Sequence, residues 1–286
     1  MSRHAYLILS YAQPRLLEHL IHALDDSRND IFVHIDKKAA FDGTLLVARY
    51  SSLIVIDPID ARWGDVSLVE VEMKLIEAAL SHGRYSYLHF LSDSDYPIKT
   101  QDYIHAECAR LAGMEFVGYA IENNRRKEIL DKVQYYYLFP HQFRSSSIII
   151  KGLRYLHLRA QKMLGLHRNT DIDFKRGSQW CSITYAFAQY VISNRQMLLH
   201  TYNHTYCPDE LFMQTLCWSS PFRKKLFSAD DEFEGCKRYV NWHGPNLLWL
   251  GLDDIDDMLS SNRWFARKFT EKNMEVIRHI DKRLNH

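Results

Sequence analysis

The chain has 286 residues, of which 47% are hydrophobic and 25% are charged, enough material for a sizeable core in one large or two small domains. A formal net charge of +1 excludes a dedicated nucleic-acid-binding protein, because contacts with phosphates require a large basic excess. No apolar run reaches the roughly 20 residues that span a bilayer, and the cysteines are odd in number without metal-ligand spacing, which predicts a cytoplasmic protein with reduced thiols.

The first third of the chain alternates short apolar runs with helical patterns. Residues 5–10 form a compact apolar run typical of a buried strand, and residues 14–24 carry apolar side chains at helical spacing. Further strands are predicted at 31–35, 53–56 and 85–91, with a strongly amphipathic helix over 67–80. This alternation predicts an α/β fold with a central parallel sheet covered by helices on both faces.

Acidic and aromatic residues follow the predicted strands. Asp36 ends the second strand, Trp63 precedes the long helix, and Asp93 and Asp95 follow the fourth strand. Ligands of parallel sheets bind at the carboxyl ends of strands. Neither the dinucleotide fingerprint nor the P-loop spacing occurs. A bound nucleotide would therefore stack on an aromatic side chain, with its phosphates met by basic side chains or by a metal held on carboxylates.

Two adjacent carboxylates lie in the stretch CPDELFMQT, residues 207–215. Asp209 and Glu210 follow Pro208 and directly precede an apolar helical pattern, which places them at a predicted helix N-terminus. One interpretation is that both cap the helix and complement its dipole. The other is that one caps the helix while its neighbour points into a cleft as a general base. Position alone leaves both interpretations open.

A set of segments that occur in a fixed order carries a family resemblance. They are AYLILSYAQP, DIFVHIDKK, RWGDVSLVEVEMKLIEAAL, YLHFLSDSDYPIK, RGSQWCSITYAFAQYVI, CPDELFMQT and FARKF. At these separations the chain resembles glycosyltransferase family 14, which contains core-2/I-branching N-acetylglucosaminyltransferases and peptide O-xylosyltransferases. The resemblance covers most of the chain and is weakest over 118–173. The short chain without a membrane anchor resembles a bacterial member.

The resemblance implies a fold and an activity. The fold would be a GT-A-like, Rossmann-type nucleotide-sugar fold, in one domain with a nucleotide-binding half (1–117), a variable basic segment (118–176) and a catalytic and acceptor half (177–286). The activity would be inverting transfer of GlcNAc, xylose or a related sugar from a UDP-sugar to a hydroxyl of a glycan acceptor, in bacterial surface-polysaccharide synthesis. The alternatives are a metal-dependent GT-A enzyme of another family and a non-catalytic nucleotide- or carbohydrate-binding protein.

The resemblance also implies roles for individual residues. Asp36 would bind the uridine, Trp63 would lie beside the uracil, and Glu210 would be the catalytic base. Lys268 of FARKF would hold the diphosphate, with Arg238 as its arginine partner. These residue types suit the chemistry, because a carboxylate takes the acceptor proton and cations meet the charge that grows on departing UDP.

The Asp93-Ser94-Asp95 segment has the form of a metal-binding Asp-x-Asp. The family it resembles works without metal, and a lysine with an arginine neutralises a diphosphate as a cation would. We therefore expect no cofactor and no metal, with Asp95 near the hydroxyls of the donor sugar. The alternative is a divalent cation held by Asp93 and Asp95.

Two further stretches bear on the acceptor. Gln179 and Trp180 precede a strand-like run over 181–187, and they suit either the wall of a sugar site or ordinary core packing. The stretch 144–176 interleaves basic and apolar residues. It is typical of a helix on an anionic membrane surface, which would bring the protein to a lipid-linked acceptor at the inner face of the membrane. The alternatives are a helix that packs its leucines inward and, less favoured because the whole chain is nearly neutral, a surface that binds nucleic acid.

Overall fold

The structure is a computed structural model that describes residues 3–120, 126–142, 147–243 and 246–284. The strands are β1 (His4–Ser10), β2 (Asn29–Ile35), β3 (Ser52–Ile56), β4 (Tyr87–Ser92), β5 (Asp95–Pro97), β6 (Ser182–Thr184), β7 (Arg238–Val240), β8 (Trp242–His243), β9 (Asn246–Leu247) and β10 (Phe265–Arg267). The helices are α1 (Pro14–Leu24), α2 (Ser67–His82), α3 (Gln101–Arg110), α4 (Arg126–Gln134), α5 (Ile148–Met163), α6 (Tyr185–Ser193), α7 (Arg195–Tyr202), α8 (Phe212–Trp218), α9 (Glu232–Gly235), α10 (Ile255–Ser260) and α11 (Met274–Leu284).

The central sheet has the order β3-β2-β1-β4-β6. Strands β3, β2, β1 and β4 are parallel, and β6 runs antiparallel to β4 at the edge. Strands β2 and β4 are buried along their whole length, and β1 nearly so, because helices cover both faces. Burial on both faces is why these strands read as continuous apolar runs. The prediction of an α/β fold with a central, mostly parallel sheet is confirmed.

Alternate residues of β1 enter two separate cores. Ala5 and Leu7 pack on one face with side chains of α2, α6 and α8. Tyr6 and Ile8 pack on the other face with side chains of α1, α3 and α11. All four are fully buried, and burying a large apolar side chain stabilises a fold by about 1.5–3 kcal/mol. The result is a three-layer arrangement with the sheet in the middle.

The two ends of the described chain close on each other. The side chain of Gln13 donates to the carbonyl of Phe269 (3.1 Å) and accepts from the backbone of Glu271 (2.9 Å). The carboxylate of Glu271 in turn accepts from the backbone N–H of Arg15 (2.6 Å). Helices α1 and α11 share one core. Strand β10, near the end of the chain, pairs with β5 and β7 in a small second sheet.

A cluster of histidines lies in the same core. The rings of His4 and His89 approach each other through Nδ1 and Nε2 (3.1 Å), and His105 stacks on His4 at 3.9 Å between ring centroids. Burial lowers the pKa of all three, that of His105 to about 4. Potential ligand atoms of His4, His89 and Cys108 lie within 4.8 Å of one another, but the facing nitrogens of the two rings already contact each other.

Most predicted elements agree with the structure to within one or two residues. The prediction of a strand-like run over 181–187 is wrong beyond its first part, because β6 is short and α6 begins at Tyr185. The hydroxyl of Thr184 accepts from the backbone of Phe187 and caps that helix. All five cysteines are free and buried. No helix among the described residues is long and apolar enough to cross a bilayer.

Candidate active site

The predicted site residues come mainly from the ends of strands. Asp36 follows β2, Asp95 begins β5 three residues after the end of β4, and Arg267 ends β10 directly before Lys268. Strand pairing places Arg267 opposite Asp95. Because β2 and β4 are parallel to β1 on its two sides, their carboxyl ends meet at one edge of the sheet.

Glu210 ends a 3-10 turn (Pro208–Glu210) that precedes α8. Its Oε2 lies 2.9 Å from both Nε and Nη2 of Arg176 and 3.6 Å from Nζ of Lys132. No hydrogen bond from the described residues reaches its Oε1. The side chain is 33% exposed. The carboxylate therefore pairs with two cations from other parts of the chain instead of capping α8, and keeps one oxygen available.

Two carboxyl groups beside Glu210 are buried. Burial, helped by the charge of Glu210, raises the pKa of Asp209 to about 7, and Oδ1 of Asp209 has no hydrogen-bond partner among the described residues. Burial raises the pKa of Glu72 well above its usual range. Oε1 of Glu72 accepts from the amide of Gln179 (2.7 Å). Desolvation of the charged form thus favours the protonated form of both carboxyl groups more than it would for an exposed acid.

A second group forms around Arg267. Its guanidinium lies over the ring of Trp180, 4.5 Å from the ring centre, and its Nε is 3.7 Å from Oδ1 of Asp95. Both of these facing atoms are buried and lack a hydrogen bond within the described chain. Oδ2 of Asp95 accepts from the backbone N–H of Ser92 (2.6 Å). The pair therefore places a buried cation against an aromatic face, with hydrogen-bonding capacity still unused.

The five-residue segment Arg176 to Trp180 joins these two groups. Arg176 contacts Glu210 at one end, and Trp180 contacts Arg267 at the other. At full extension the segment spans no more than about 14 Å. The backbone N–H of Gly177 donates to the carbonyl of Glu210 (3.0 Å). A Cβ on Gly177 would lie 1.8 Å from the carbonyl oxygen of Gly118, so this close approach requires glycine.

Trp63 and Asp36 are the residues that were expected to bind the uridine part of the donor. Trp63 is 42% exposed and meets the ring of Tyr206 edge-on, with 5.7 Å between centroids. Tyr206 also lies under Nζ of Lys132, 5.4 Å from the ring centre. Asp36 accepts from the backbone of Ala61 (3.1 Å) and so fixes the loop that leads to Trp63. These contacts connect the exposed indole to the surroundings of Glu210.

Arg238 does not lie where it was expected. It is fully buried, and its terminal nitrogens donate to the carbonyls of Cys236 (2.7 Å), Phe90 (3.0 Å) and Cys181 (2.9 Å). The expectation that Arg238 meets a diphosphate is therefore corrected, because its guanidinium fastens backbone segments to one another. The arginine adjacent to Lys268 is Arg267. Lys268 is partly exposed, with Nζ 5.2 Å from the ring centre of Trp249.

The two acids of the Asp-x-Asp segment serve different partners. Oδ2 of Asp93 accepts from the Ser10 hydroxyl (2.9 Å) and from the backbone N–H groups of Tyr11 (2.7 Å) and Ala12 (3.0 Å). It thereby organises the loop between β1 and α1. Asp95 instead faces Arg267.

Sequence reasoning missed three cations of this site. Arg267 had a local signal, since it adjoins Lys268 at the end of a strand. Arg176 adjoins the GSQW segment but gave no sign of reaching Glu210. Lys132 lies on α4, in the stretch with the weakest resemblance, and its contact with Glu210 is created by the fold alone. Of the predicted basic stretch 144–176, Arg144 lies outside the described residues and α5 forms the helical part.

Comparison with known proteins identifies relatives along nearly the whole chain. Human xylosyltransferase 1 is 24% identical over 302 residues, which cover 96% of this chain and 29% of that protein. The Arabidopsis thaliana β-glucuronosyltransferase GlcAT14B is 25% identical over 310 residues, covering 99% of this chain and 66% of that protein. Drosophila melanogaster xylosyltransferase oxt is 26% identical over 285 residues, covering 89% of this chain and 30% of that protein. The chain thus spans under a third of the two animal proteins.

A solved structure of mouse xyloside xylosyltransferase 1 in its apo form aligns with 93% of this chain and 97% of that chain, at 12% identity and a TM-score of 0.38. The family profile described as Core-2/I-Branching enzyme matches residues 4–278, which include every site residue named above. By this match, the chain belongs to the Core-2/I-Branching enzyme family.

Proposed function

We propose that this chain is an inverting glycosyltransferase with a GT-A-like nucleotide-sugar fold, which moves a sugar from a UDP-sugar to a hydroxyl of a glycan acceptor. The observation that carries the proposal is the arrangement of the segment 176–180. It connects a carboxylate suited to accept a proton, Glu210, with a buried cation suited to meet a phosphate, Arg267. Membership of the Core-2/I-Branching enzyme family supports the same chemistry.

The proposed reaction is a single displacement. The acceptor oxygen forms a bond to the anomeric carbon while its proton passes to Oε1 of Glu210. The bond between the anomeric carbon and the diphosphate oxygen breaks on the opposite face, so the configuration inverts and UDP leaves with the bonding electrons. A positioned general base contributes about 100- to 10,000-fold to such a rate. Arg176 and Lys132 hold Oε2 and so fix the direction of Oε1.

The donor would lie along the strand ends. Arg267 and Lys268 would meet the diphosphate, because fixed cations stabilise the charge that develops on the leaving group. Trp63, whose ring is partly exposed, would lie beside the uracil, and Asp36 would bind the uridine. Asp95 and the pair Gln179 and Trp180 would border the donor or acceptor sugar.

Transfer would need no metal. Two adjacent cations neutralise a diphosphate directly, and Asp93 is already engaged by the loop after β1. The proposed setting is the cytoplasmic synthesis of a bacterial surface polysaccharide. GlcNAc and xylose are the first donor sugars to test. Glucuronate is a third donor sugar to test, because one relative is named as a β-glucuronosyltransferase.

The deciding experiment is a donor screen followed by turnover. Thermal unfolding is measured with UDP, UDP-GlcNAc, UDP-xylose and UDP-glucuronate, with GDP and CDP as matched controls. A ligand at 100 times its Kd adds about 2.7 kcal/mol to the stability of the native state, which is a readily measured shift. We expect uridine diphosphates alone to shift the transition, and one donor to release UDP in the presence of a glycan acceptor. Equal shifts with all three nucleotides would contradict the proposal.

The same experiment separates the rival from another functional class. A non-catalytic nucleotide- or carbohydrate-binding protein would show the shift with UDP-sugars without release of UDP for any acceptor. The available Oε1 of Glu210, held in place by Arg176, favours the enzyme.

A further inference from the structure

Helix α5 (Ile148–Met163) leaves an apolar face uncovered. Ile149, Leu153, Leu156 and Met163 recur at intervals of three, four and seven residues and therefore share one face. Their exposed fractions range from 49% to 82%, and Gln161 is the buried residue of the helix. Soluble proteins rarely expose contiguous apolar surface of this kind without a partner. The face therefore needs an occupant.

The charge of the segment indicates what that occupant is. Residues 147–168 contain five basic residues and no acidic residue, whereas the whole chain has a formal net charge of +1. A second copy of the chain docked on this face would bring two strongly basic helices together, and like charges oppose that pairing. An anionic surface would neutralise them. The basic residues are Lys151, Arg154, Arg159, Lys162 and Arg168.

We propose that α5 lies flat on an anionic phospholipid bilayer. Its 16 residues form a rod of about 24 Å, which would rest in the headgroup region with its apolar face inward. Lys151 and Arg159 extend their charged ends toward lipid phosphates while their stems pack among the apolar side chains. A pocket of ≈ 180 Å³ bordered by Lys151, Arg154 and Tyr155 opens on the same helix and offers room for a phosphate group.

The helix is coupled to the surroundings of Glu210. The side chain of Gln161 accepts from the backbone N–H of Tyr136 (2.8 Å) and donates to its carbonyl (3.0 Å). Lys162 pairs with Asp131 of α4 (3.3 Å), and the next residue of α4, Lys132, contacts Glu210. A bilayer bound to the apolar face of α5 would therefore hold a helix that is linked through α4 to Glu210. Any effect on transfer rests on the proposed function, whereas membrane binding does not.

The first test is sedimentation with vesicles in the absence of donor and acceptor. We expect the protein to bind vesicles of phosphatidylcholine with roughly one third phosphatidylglycerol, to bind pure phosphatidylcholine weakly, and to dissociate as salt is raised. The double variant Lys151→Gln/Arg159→Gln should bind these vesicles about 30-fold more weakly. Each basic residue near the surface contributes about 1 kcal/mol, and about 1.4 kcal/mol corresponds to a tenfold change in affinity. The matched control, Lys224→Gln/Lys225→Gln, removes two exposed lysines elsewhere and should bind as wild type.

The second test concerns the apolar face. Ile149→Asn/Leu156→Asn should weaken vesicle binding at least tenfold, because two side chains no longer enter the interface. The control Leu45→Asn/Val47→Asn changes two apolar residues outside α5 that are 80% and 78% exposed, and it should leave vesicle binding unchanged. Thermal melts verify that all variants fold.

Several outcomes would overturn the proposal. One is absence of binding by the wild type, and another is equal binding to neutral and anionic vesicles. A dimer in solution that Ile149→Asn converts to a monomer would assign the face to a second copy, and specific capture by an acidic protein would assign it to that partner. Because no donor is present, failure here leaves the transferase proposal intact, and failure to transfer sugar leaves membrane binding intact.

Discussion

Replacing Glu210 with Gln removes a proton acceptor while keeping its shape. Nε and Nη2 of Arg176 and Nζ of Lys132 all approach the same oxygen of Glu210, Oε2. The amide oxygen of Gln can occupy that position and keep the hydrogen bond to Arg176. Its NH2 group then takes the place of Oε1, where it cannot accept a proton. The substitution therefore separates the chemistry of this carboxylate from its packing.

The expected effect on rate is large, and the expected effect on stability is small. Loss of a general base lowers kcat about 100- to 10,000-fold, which raises the barrier by about 3 to 5 kcal/mol. The ion pairs of Glu210 are partly solvated, because its side chain is 33% exposed. Losing the charge should therefore cost about 1 kcal/mol of stability and lower Tm by about 2–4 °C.

The assay is UDP release at saturating donor, with the Kd of UDP measured by calorimetry. Glu18→Gln, which removes a carboxylate from the exposed face of α1, is the matched control and should behave as wild type. Transfer by Glu210→Gln at a near wild-type rate would refute the assignment of the base. A large loss of UDP affinity would instead show that the substitution disturbs the donor site.

Lys268→Ala should weaken the binding of UDP by about 10- to 100-fold and the binding of uridine only slightly, because only UDP carries the diphosphate. The control Lys272→Ala, at an exposed lysine, should leave the binding of both ligands unchanged. Equal losses of affinity for UDP and uridine in Lys268→Ala would indicate damage to the fold. Transfer should persist in excess EDTA, and complete loss restored by Mn²⁺ would move the Asp-x-Asp carboxylates into a metal site. Burial lowers the pKa of His105 from 6.5 to about 4 in the folded protein. As pH drops below about 6.5, this imidazole therefore binds a proton in the unfolded chain before it does so in the folded protein, and stability falls. By about pH 4.5 this histidine should lower the free energy of unfolding by about 2 kcal/mol. The measurement is the difference in urea unfolding between wild type and His105→Gln, because the buried acids change stability in the opposite direction in both proteins and so cancel in that difference. Parallel pH profiles of the two proteins would contradict the prediction.

The sequence was informative wherever local pattern and tertiary environment agree. Buried parallel strands must be apolar on both faces, so β1, β2 and β4 were recognisable with nearly correct bounds. The run after Trp180 was misassigned because its apolar residues fit a buried strand and a buried helix equally well, and the hydroxyl of Thr184 decides between them.

The site was harder to predict, because its partners come together from distant parts of the chain. Arg238 carried the right charge near the right segment, yet carbonyls of three segments hold its guanidinium in the core. Arg267 lies opposite Asp95 only because β10 pairs with β5, and no local pattern reports that pairing. Lys132 contacts Glu210 although the two residues are far apart in the sequence. Strand ends thus indicated where to look for a candidate site, whereas tertiary contacts decide which cations enter it.

The closure of the two chain ends has a consequence for synthesis on the ribosome. Helix α1 is translated before α11, yet its apolar face packs with α11 and its first turn is bonded to Glu271. That partner emerges only after the roughly 250 residues between the two helices have been translated, at about 5–20 residues per second. The apolar face of α1 must therefore lack this partner throughout that interval, and a chaperone that shields it would act on α1 until α11 is released.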